Sequence, residues 1–271
     1  MFAPLLATIA LHVLPRPASV RRKDCAIAVS GTVAESIDAG AFDELRRRWL
    51  ALGVANVRVA AAPQVHFVRD AALGQQAYRL SVTPQGVTIG SSDADGAFYG
   101  AMTLAQLPYR AASRWLLPCV QIEDRPALRW RILSDDVSRG PLPTMRYFES
   151  RIRTIAAFKM NGYSPYMENV FTSPTDPLPA PPDGITPAQL HALAIYAKRY
   201  HVALIPEQQT FAHMHNTLRI ERYASAAALP HGFLLDPGNP VAAGYLVRII
   251  GQELAAVPHP PFFHIGSDET A

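Results

Sequence analysis

The sequence predicts an α/β protein in which a small mixed domain precedes a parallel sheet assembled from strand–loop–helix repeats. Three observations carry this expectation. In the first part, apolar residues switch back and forth between strand alternation and helical spacing. From about residue 126 the order strand, loop, helix recurs. The composition, 49% hydrophobic and 17% charged in 271 residues, supplies a core for one or two domains.

The elements follow in order. "AFDELRRRWLALG" (41–53) places Phe42, Leu45, Trp49 and Leu52 at helical spacing and closes on a glycine. "VANVRVAA" and "QVHFVRD" alternate as strands. "AYRLSVTPQGVTIGSS" is two β runs around Pro84-Gln85-Gly86, a hairpin. "SDADGAFYGAMTLAQL" has an Asp-rich start and an apolar face through Phe98, Met102 and Leu107, a second helix. "RWRILSDDV" then opens the repeats. Its helix is "PTMRYFESRIRTIAAFKM", with Met145, Phe148, Ile152, Ile155 and Phe158 on one side. "GYSPYME" is the next strand, followed by a Pro-rich loop and a helix capped by Thr186 with Pro187 at its first position. "VALIPEQQ" and "PFFHIGSD" are the third and fourth strands, separated by the helix "PVAAGYLVRIIGQELAAV". A closed (β/α)8 barrel needs about 250 residues. Residues 126–271 offer about 146 and four strands, so an open doubly wound sheet stays as the alternative.

Composition narrows the partners. The net charge is +3, and "RRK" (21–23) and "RRR" (46–48) are the tight basic runs. With no basic stripe interleaved with aromatics, no nucleic acid partner is expected. No segment approaches the roughly 20 apolar residues of a membrane span. Residues 1–13 read as a separate N-terminal segment, a candidate remnant of a targeting sequence. They hold an apolar run of signal-peptide length but no basic n-region, which leaves the compartment open, with the cytoplasm favoured over export. Cys25 and Cys119 can pair in principle but form no framework pattern.

Function in either parallel architecture gathers at the C-terminal ends of the strands. Those ends carry Asp135, Asp136 and Arg139, then Tyr166, Glu168 and Asn169, then Glu207, Gln208, His213 and His215, then His264, Asp268 and Glu269. Each piece alone has a plain structural reading. "SDET" can cap a helix, "SDDVSR" can be an ion-pair network, and loop histidines are usually solvated or hydrogen-bonded. The recurrence of acids, imidazoles and amides at every strand end is what points to a site.

In order along the chain, these motifs resemble family 20 of the glycoside hydrolases, the β-N-acetylhexosaminidases. "HIGSDE" resembles that family's H-x-G-G-D-E, with Asp268 and Glu269 on the catalytic acid pair. "WRILSDDVSR" is similar to its first barrel strand, R-G-x-x-x-D-x-S-R, which puts Arg131 on the arginine that grips sugar hydroxyls. "FKMNGYSPYMENVF" resembles the second-strand segment and "ALIPEQQTFAHM" the third, mapping Glu207 and His213. The stretch from "AYRL" to "LAQL" is similar to the α/β domain that precedes the barrel. The resemblance therefore implies an N-terminal α/β domain over 14–124 and, over 125–271, the first half of a (β/α)8 TIM barrel, about four βα units, in a chain that looks truncated after the acid pair.

It also implies an exo-acting, retaining, substrate-assisted β-N-acetylhexosaminidase that acts on N-acetylhexosamine-containing glycans and needs no metal or other cofactor. In such an enzyme the acetamido oxygen of the sugar is the nucleophile, Asp268 orients it, and Glu269 is the general acid and base. Arg131, His213, Glu168, Glu207 and His264 are the implied substrate-side residues. The sequence departs from the family on strand two, where "SPYMENV" stands in place of H-W-H-L-T-D-D. Glu168 is the candidate substitute for the missing aspartate, closer to the hexosaminidase D-like branch than to the chitobiase type. Ser267 replaces the second glycine of the acid motif, and no tryptophan follows Trp130. Two other readings stand beside this one: a non-catalytic carbohydrate-binding product that needs a partner chain or self-associates through unpaired strand edges, and a metal-dependent hydrolase using His213, His215 and a carboxylate.

Overall fold

The computed structural model describes residues 11–54 and 56–270; most of the expected N-terminal segment, residues 1–10, lies outside them. The chain divides into two units, one running to Arg129 and taking in 157–159, the other holding 130–156 and 160 onward.

The first unit is a mixed sheet under two helices. Its elements are β1 (Ser19–Ala28), β2 (Thr32–Val33), α1 (Ala39–Leu52), β3 (Arg58–Val59), β4 (Val65–Arg69), β5 (Tyr78–Thr83), β6 (Gly86–Ser91), α2 (Ala94–Leu104), β7 (Tyr109–Ala111) and β8 (Arg114–Asp124). The strand order is β1-β8-β5-β6-β4-β2-β3, with β7 on β8. Helix α1 starts where Asp38 accepts the Ala41 N–H at 3.0 Å and stops where Gly53 takes a left-handed φ of 91°. Its buried face is Ala41, Glu44, Leu45 and Trp49; Phe42 is half-buried and Leu52 exposed, so the face is turned by about one residue from the expected one. The reason is Glu44, whose carboxylate is covered by Arg47 and Arg48 and which therefore tolerates the inner side. In the β5–β6 hairpin Tyr78, Leu80 and Val82 point inward and alternate with more exposed neighbours.

Four strands of this unit, β1, β2, β7 and β8, escape the sequence patterns. β1 carries "RRKDC" and shifts register between Arg22 and Ala26, a charged, irregular edge strand. β8 contains Pro118, opposite Ala26. Cys25 and Cys119 form a disulfide between these two strands, with Cα atoms 5.2 Å apart.

The second unit begins with three parallel strands: β9 (Ile132–Asp136), β10 (Gly162–Tyr166) and β11 (Ala203–Leu204), in the order β11-β10-β9. Between and after them run α3 (Met145–Ala157), α4 (Pro187–Arg199), α5 (His215–Leu218), α6 (Glu221–Ala224) and α7 (Pro240–Ala256). Phe148, Ile152 and Ile155 bury the inner face of α3, while Phe158 is exposed. Thr186 and Gln189 form a reciprocal capping box at the start of α4.

The expected fourth strand is reduced to one parallel bridge, Glu207 with His264. Its pairing stops because Gly266, Ser267 and Glu269 adopt positive φ values of 65°, 75° and 51°, which no extended strand accommodates. The fold is thus mixed α/β, with a three-stranded parallel ladder extended by a single bridge. Among the described residues no helix is long and apolar enough to cross a membrane.

Candidate active site

Parallel pairing sets which residues meet. Gly162 lies opposite both Ile132 and Ala203, and Tyr166 opposite Asp136, so the three strands deliver Asp136, Tyr166 and the segment after Leu204 to the same end of the sheet. Alternation then sorts the adjacent acids Asp135 and Asp136. Asp135 turns to the helix side, where its Oδ2 accepts from Tyr163 Oη at 3.0 Å and Tyr147 Oη at 3.3 Å and lies 3.4 Å from Arg151 Nε. Burial, then the Asp135 charge, raises Tyr163 far above the ordinary phenol range. Asp136 instead pairs with Arg139 at 3.2 Å.

His213 is the hub of the cluster. It sits in the left-handed region, φ 57°, a conformation that costs energy outside glycine and is concentrated at functional positions. Its side chain is largely buried, with Nδ1 3.4 Å from Glu168 Oε1 and 3.4 Å from Arg139 Nη2. On the other edge, Nε2 lies 3.3 Å from Glu269 Oε2 and 3.6 Å from Asp268 Oδ2. Neither of these last two is a hydrogen bond, since Nε2 has no partner in hydrogen-bond geometry. Glu168, 4% exposed, is also paired with Arg139 Nη2 at 3.3 Å. The Arg139 guanidinium lies 5.9 Å from the Tyr166 ring centroid, and burial pushes the Tyr166 hydroxyl up to about 12, opposed by Arg139 and aided by Asp268.

The acids are held by residues the motif spacing did not single out. Gln209 Nε2 donates to Asp268 Oδ1 at 2.9 Å, and Gln209 Oε1 accepts the Ser267 N–H at 3.1 Å. Thr210 Oγ1 bonds Ile265 O at 2.7 Å. Glycine suits position 266 between them, because a Cβ there would fall 2.3 Å from Gln209 Oε1 and displace that side chain, at a φ of +65° that strains other residues. The available signal was the polar run "EQQT" directly after an apolar strand.

Glu207 and His264 meet behind the acids. Glu207 is 1% exposed, with Ser164 Oγ donating to Oε2 at 3.1 Å and His264 Nδ1 3.4 Å from Oε1. Burial raises its proton affinity, offset by His264 and Ser164 and reinforced by Asp268 and Asp136. Of the residues expected at the site, Asp268, Glu269, His213 and Glu168 come together, with Glu207 and His264 adjoining.

Arg131 does not join them. It precedes β9, its backbone bonded to Asn161 and Gly162, so it lies at the opposite end of a strand about 16 Å long. The arginine in the cluster is Arg139, which strand-end reasoning also found. Asn169 serves the loop instead, donating to Pro179 O at 2.7 Å. His215 is exposed at the start of α5, and no metal-binding group of three or more His, Cys, Asp or Glu occurs among the described residues.

Comparison with known proteins gives this arrangement a context. Residues 10–125 match the family model "Glycosyl hydrolase family 20, domain 2". The chain resembles the family 20 glycoside hydrolases. A β-hexosaminidase of Vibrio vulnificus is 31% identical over 158 residues, which is 57% of this chain and 18% of that protein. A β-N-acetylhexosaminidase of Cellulomonas fimi is 25% identical over 245 residues, 77% of this chain and 47% of the relative. Among solved structures, the Streptomyces plicatus N-acetyl-β-hexosaminidase aligns with a TM-score of 0.83 at 24% identity, covering 99% of this chain and 61% of that one. The Vibrio harveyi family 20 exo-β-N-acetylglucosaminidase aligns with a TM-score of 0.81 at 19% identity, covering 95% and 46%. These structural likenesses show a shared fold. The chain spans half or less of the length of the sequence relatives quoted.

Proposed function

We propose that this chain carries the acid pair of an exo-acting β-N-acetylhexosaminidase, on the first half of a (β/α)8 barrel, and works by the retaining, substrate-assisted route. The observation that supports it is His213, whose Nε2 lies within 3.6 Å of both Asp268 and Glu269 while Nδ1 faces the buried Glu168. A general acid poised beside an imidazole that is itself backed by a carboxylate is an acid–base relay.

In this reading the 2-acetamido oxygen of the bound sugar attacks the anomeric carbon as the bond to the leaving oxygen breaks, and Glu269 gives its proton to that oxygen. Asp268, fixed by Gln209, orients the acetamido group and offsets the positive charge of the oxazolinium ion. Glu269 then takes a proton from the water that reopens the ring and restores the configuration. Arg139, over half exposed and tethered to Asp136 and Glu168, takes the hydroxyl-gripping role that motif spacing had given to Arg131, because its guanidinium is fixed yet open to a ligand.

The test is hydrolysis of an aryl β-N-acetylglucosaminide by the protein that bears this chain. Glu269→Gln should lower kcat by about 10²–10⁴-fold, and undiminished turnover sinks the proposal. A second reading, a binding module that needs a partner, draws on the exposure of the Asp268 and Glu269 side chains, 54% and 76%, and on β9 and β11 being sheet edges. Binding of N-acetylglucosamine without cleavage, with mass rising with concentration in sedimentation, would favour it.

A further inference from the structure

Gln209 treats the two adjacent acids differently. It is 0% exposed, and its backbone is held on both sides: its N–H donates to Met167 O at 3.3 Å, and its carbonyl accepts from Gln208 Nε2 at 2.9 Å. Its side-chain amide lies against Gly266, whose missing Cβ leaves the room it occupies. Ser267, Asp268 and Glu269 follow directly.

The partners of the amide fix which way round it sits. The Ser267 backbone N–H, 3.1 Å away, can only donate, so the atom it meets is the carbonyl oxygen Oε1. Nε2 is therefore the end that lies 2.9 Å from Asp268 Oδ1. That nitrogen offers a proton and takes none, so Oδ1 is used up as an acceptor. Oδ2 stays outside this bond, 3.6 Å from His213 Nε2, on a side chain that is 54% exposed. Glu269 is met instead by His213, at 3.3 Å.

We propose that Gln209 is a positioning residue that divides the roles of the acid pair: it occupies Asp268 Oδ1 as an acceptor, leaves Oδ2 for the acetamido N–H of the sugar, and leaves proton transfer to Glu269. The roles rest on the glycosidase reading; the hydrogen bonds do not. Two substitutions separate a donor from a mere spacer. Gln209→Met keeps the length and removes both polar ends. Gln209→Glu keeps an acceptor for Ser267 and puts a titrating oxygen where Nε2 was. Protonated, that oxygen donates to Asp268 as the amide does; ionised, it repels Asp268. Burial places the change above the ordinary glutamate value of about 4.3.

The experiment is calorimetric binding of N-acetylglucosamine across acid and neutral pH, with the protein that bears this chain. Gln209→Met should weaken binding by about 10- to 100-fold at every pH. Gln209→Glu should bind close to the wild type at the acid end and fall by at least that factor as pH rises. The other groups around Asp268 are His213 and Glu269, Tyr166 and Glu207 in its field, and beyond them Arg139, Glu168, Asp136 and His264. All are common to the three proteins, so the ratio to wild type at each pH cancels their titration, and the flat ratio of the methionine variant checks that it does. A Gln209 that only fills space predicts two flat ratios. That outcome, or a methionine variant that binds like the wild type, overturns the proposal. If the methionine variant does not fold, the pH course of the glutamate variant decides alone. Hydrolysis of an aryl β-N-acetylglucosaminide is followed in parallel: a wild type that binds without cleaving removes the glycosidase reading and leaves the binding ratios to judge the hold on Asp268, while a wild type that does not bind overturns both.

Discussion

Replacing Asp176 by Asn removes one negative charge from the point where the Pro-rich loop after β10 is fastened to α7. Asp176 is 1% exposed. It accepts from Arg248 Nε at 2.8 Å and Nη2 at 3.0 Å, from Tyr223 Oη at 3.0 Å and from Thr175 Oγ1 at 2.8 Å. The Arg248 bonds lead in pulling the carboxyl down from its ordinary 3.8 to about 2, against the cost of burial. At about 1.4 kcal/mol per pH unit, that depression stabilises the fold by roughly 2 kcal/mol at neutral pH. Arg248 is 45% exposed, so solvent screening brings the expected loss in Asp176→Asn to about 1–2 kcal/mol.

The sign is fixed by the direction of the shift. A depressed carboxyl gives its stability above 3.8 and loses it as pH falls toward about 2. Urea unfolding followed by circular dichroism at pH 7 should show the deficit, and the two proteins should converge at the acid end. Equal stability at pH 7, or a deficit unchanged at low pH, would refute the assignment of this energy to the Asp176–Arg248 pair.

Two further outcomes separate the site from its scaffold. Arg139→Ala should weaken aminosugar binding with the melting transition little moved, whereas Arg131→Ala should leave KM unchanged; an Arg131 variant with the larger KM effect would return that residue to the site. Gly266→Ala should lower activity at least as strongly as Gln209→Ala, because both the Cβ clash and the positive φ act on the acid segment; an alanine variant with full turnover would show that the segment adapts freely.

Much of the fold was legible in the sequence because local chemistry agreed with it. Thr186-Pro187 with Gln189, Asp93 before α2, Gly53 after α1 and the two-residue turn at Pro84-Gln85 each fix an element end from a few neighbouring residues. β1 was not legible, since four charged residues in a row leave no alternation to read, and its place comes from pairing with β8, some 94 residues away at the disulfide. The strand expected at "PFFHIGSD" failed for the opposite reason. Its apolar run is local, but three positive φ values that serve the acid segment break the pairing.

What the sequence determined by itself was which side-chain types gather and roughly where: carboxylates, imidazoles and amides at successive strand ends, in the order that a family 20 resemblance implies. Only the tertiary structure decided which of them meet. Strand alternation sends Asp135 to the helices and Asp136 to Arg139, the left-handed turn at His213 aims one imidazole at three acids, and the length of β9 keeps Arg131 away. Each of these depends on register, handedness or distance between segments far apart in the chain. A residue's type and spacing do not carry that information; pairing of the strands does.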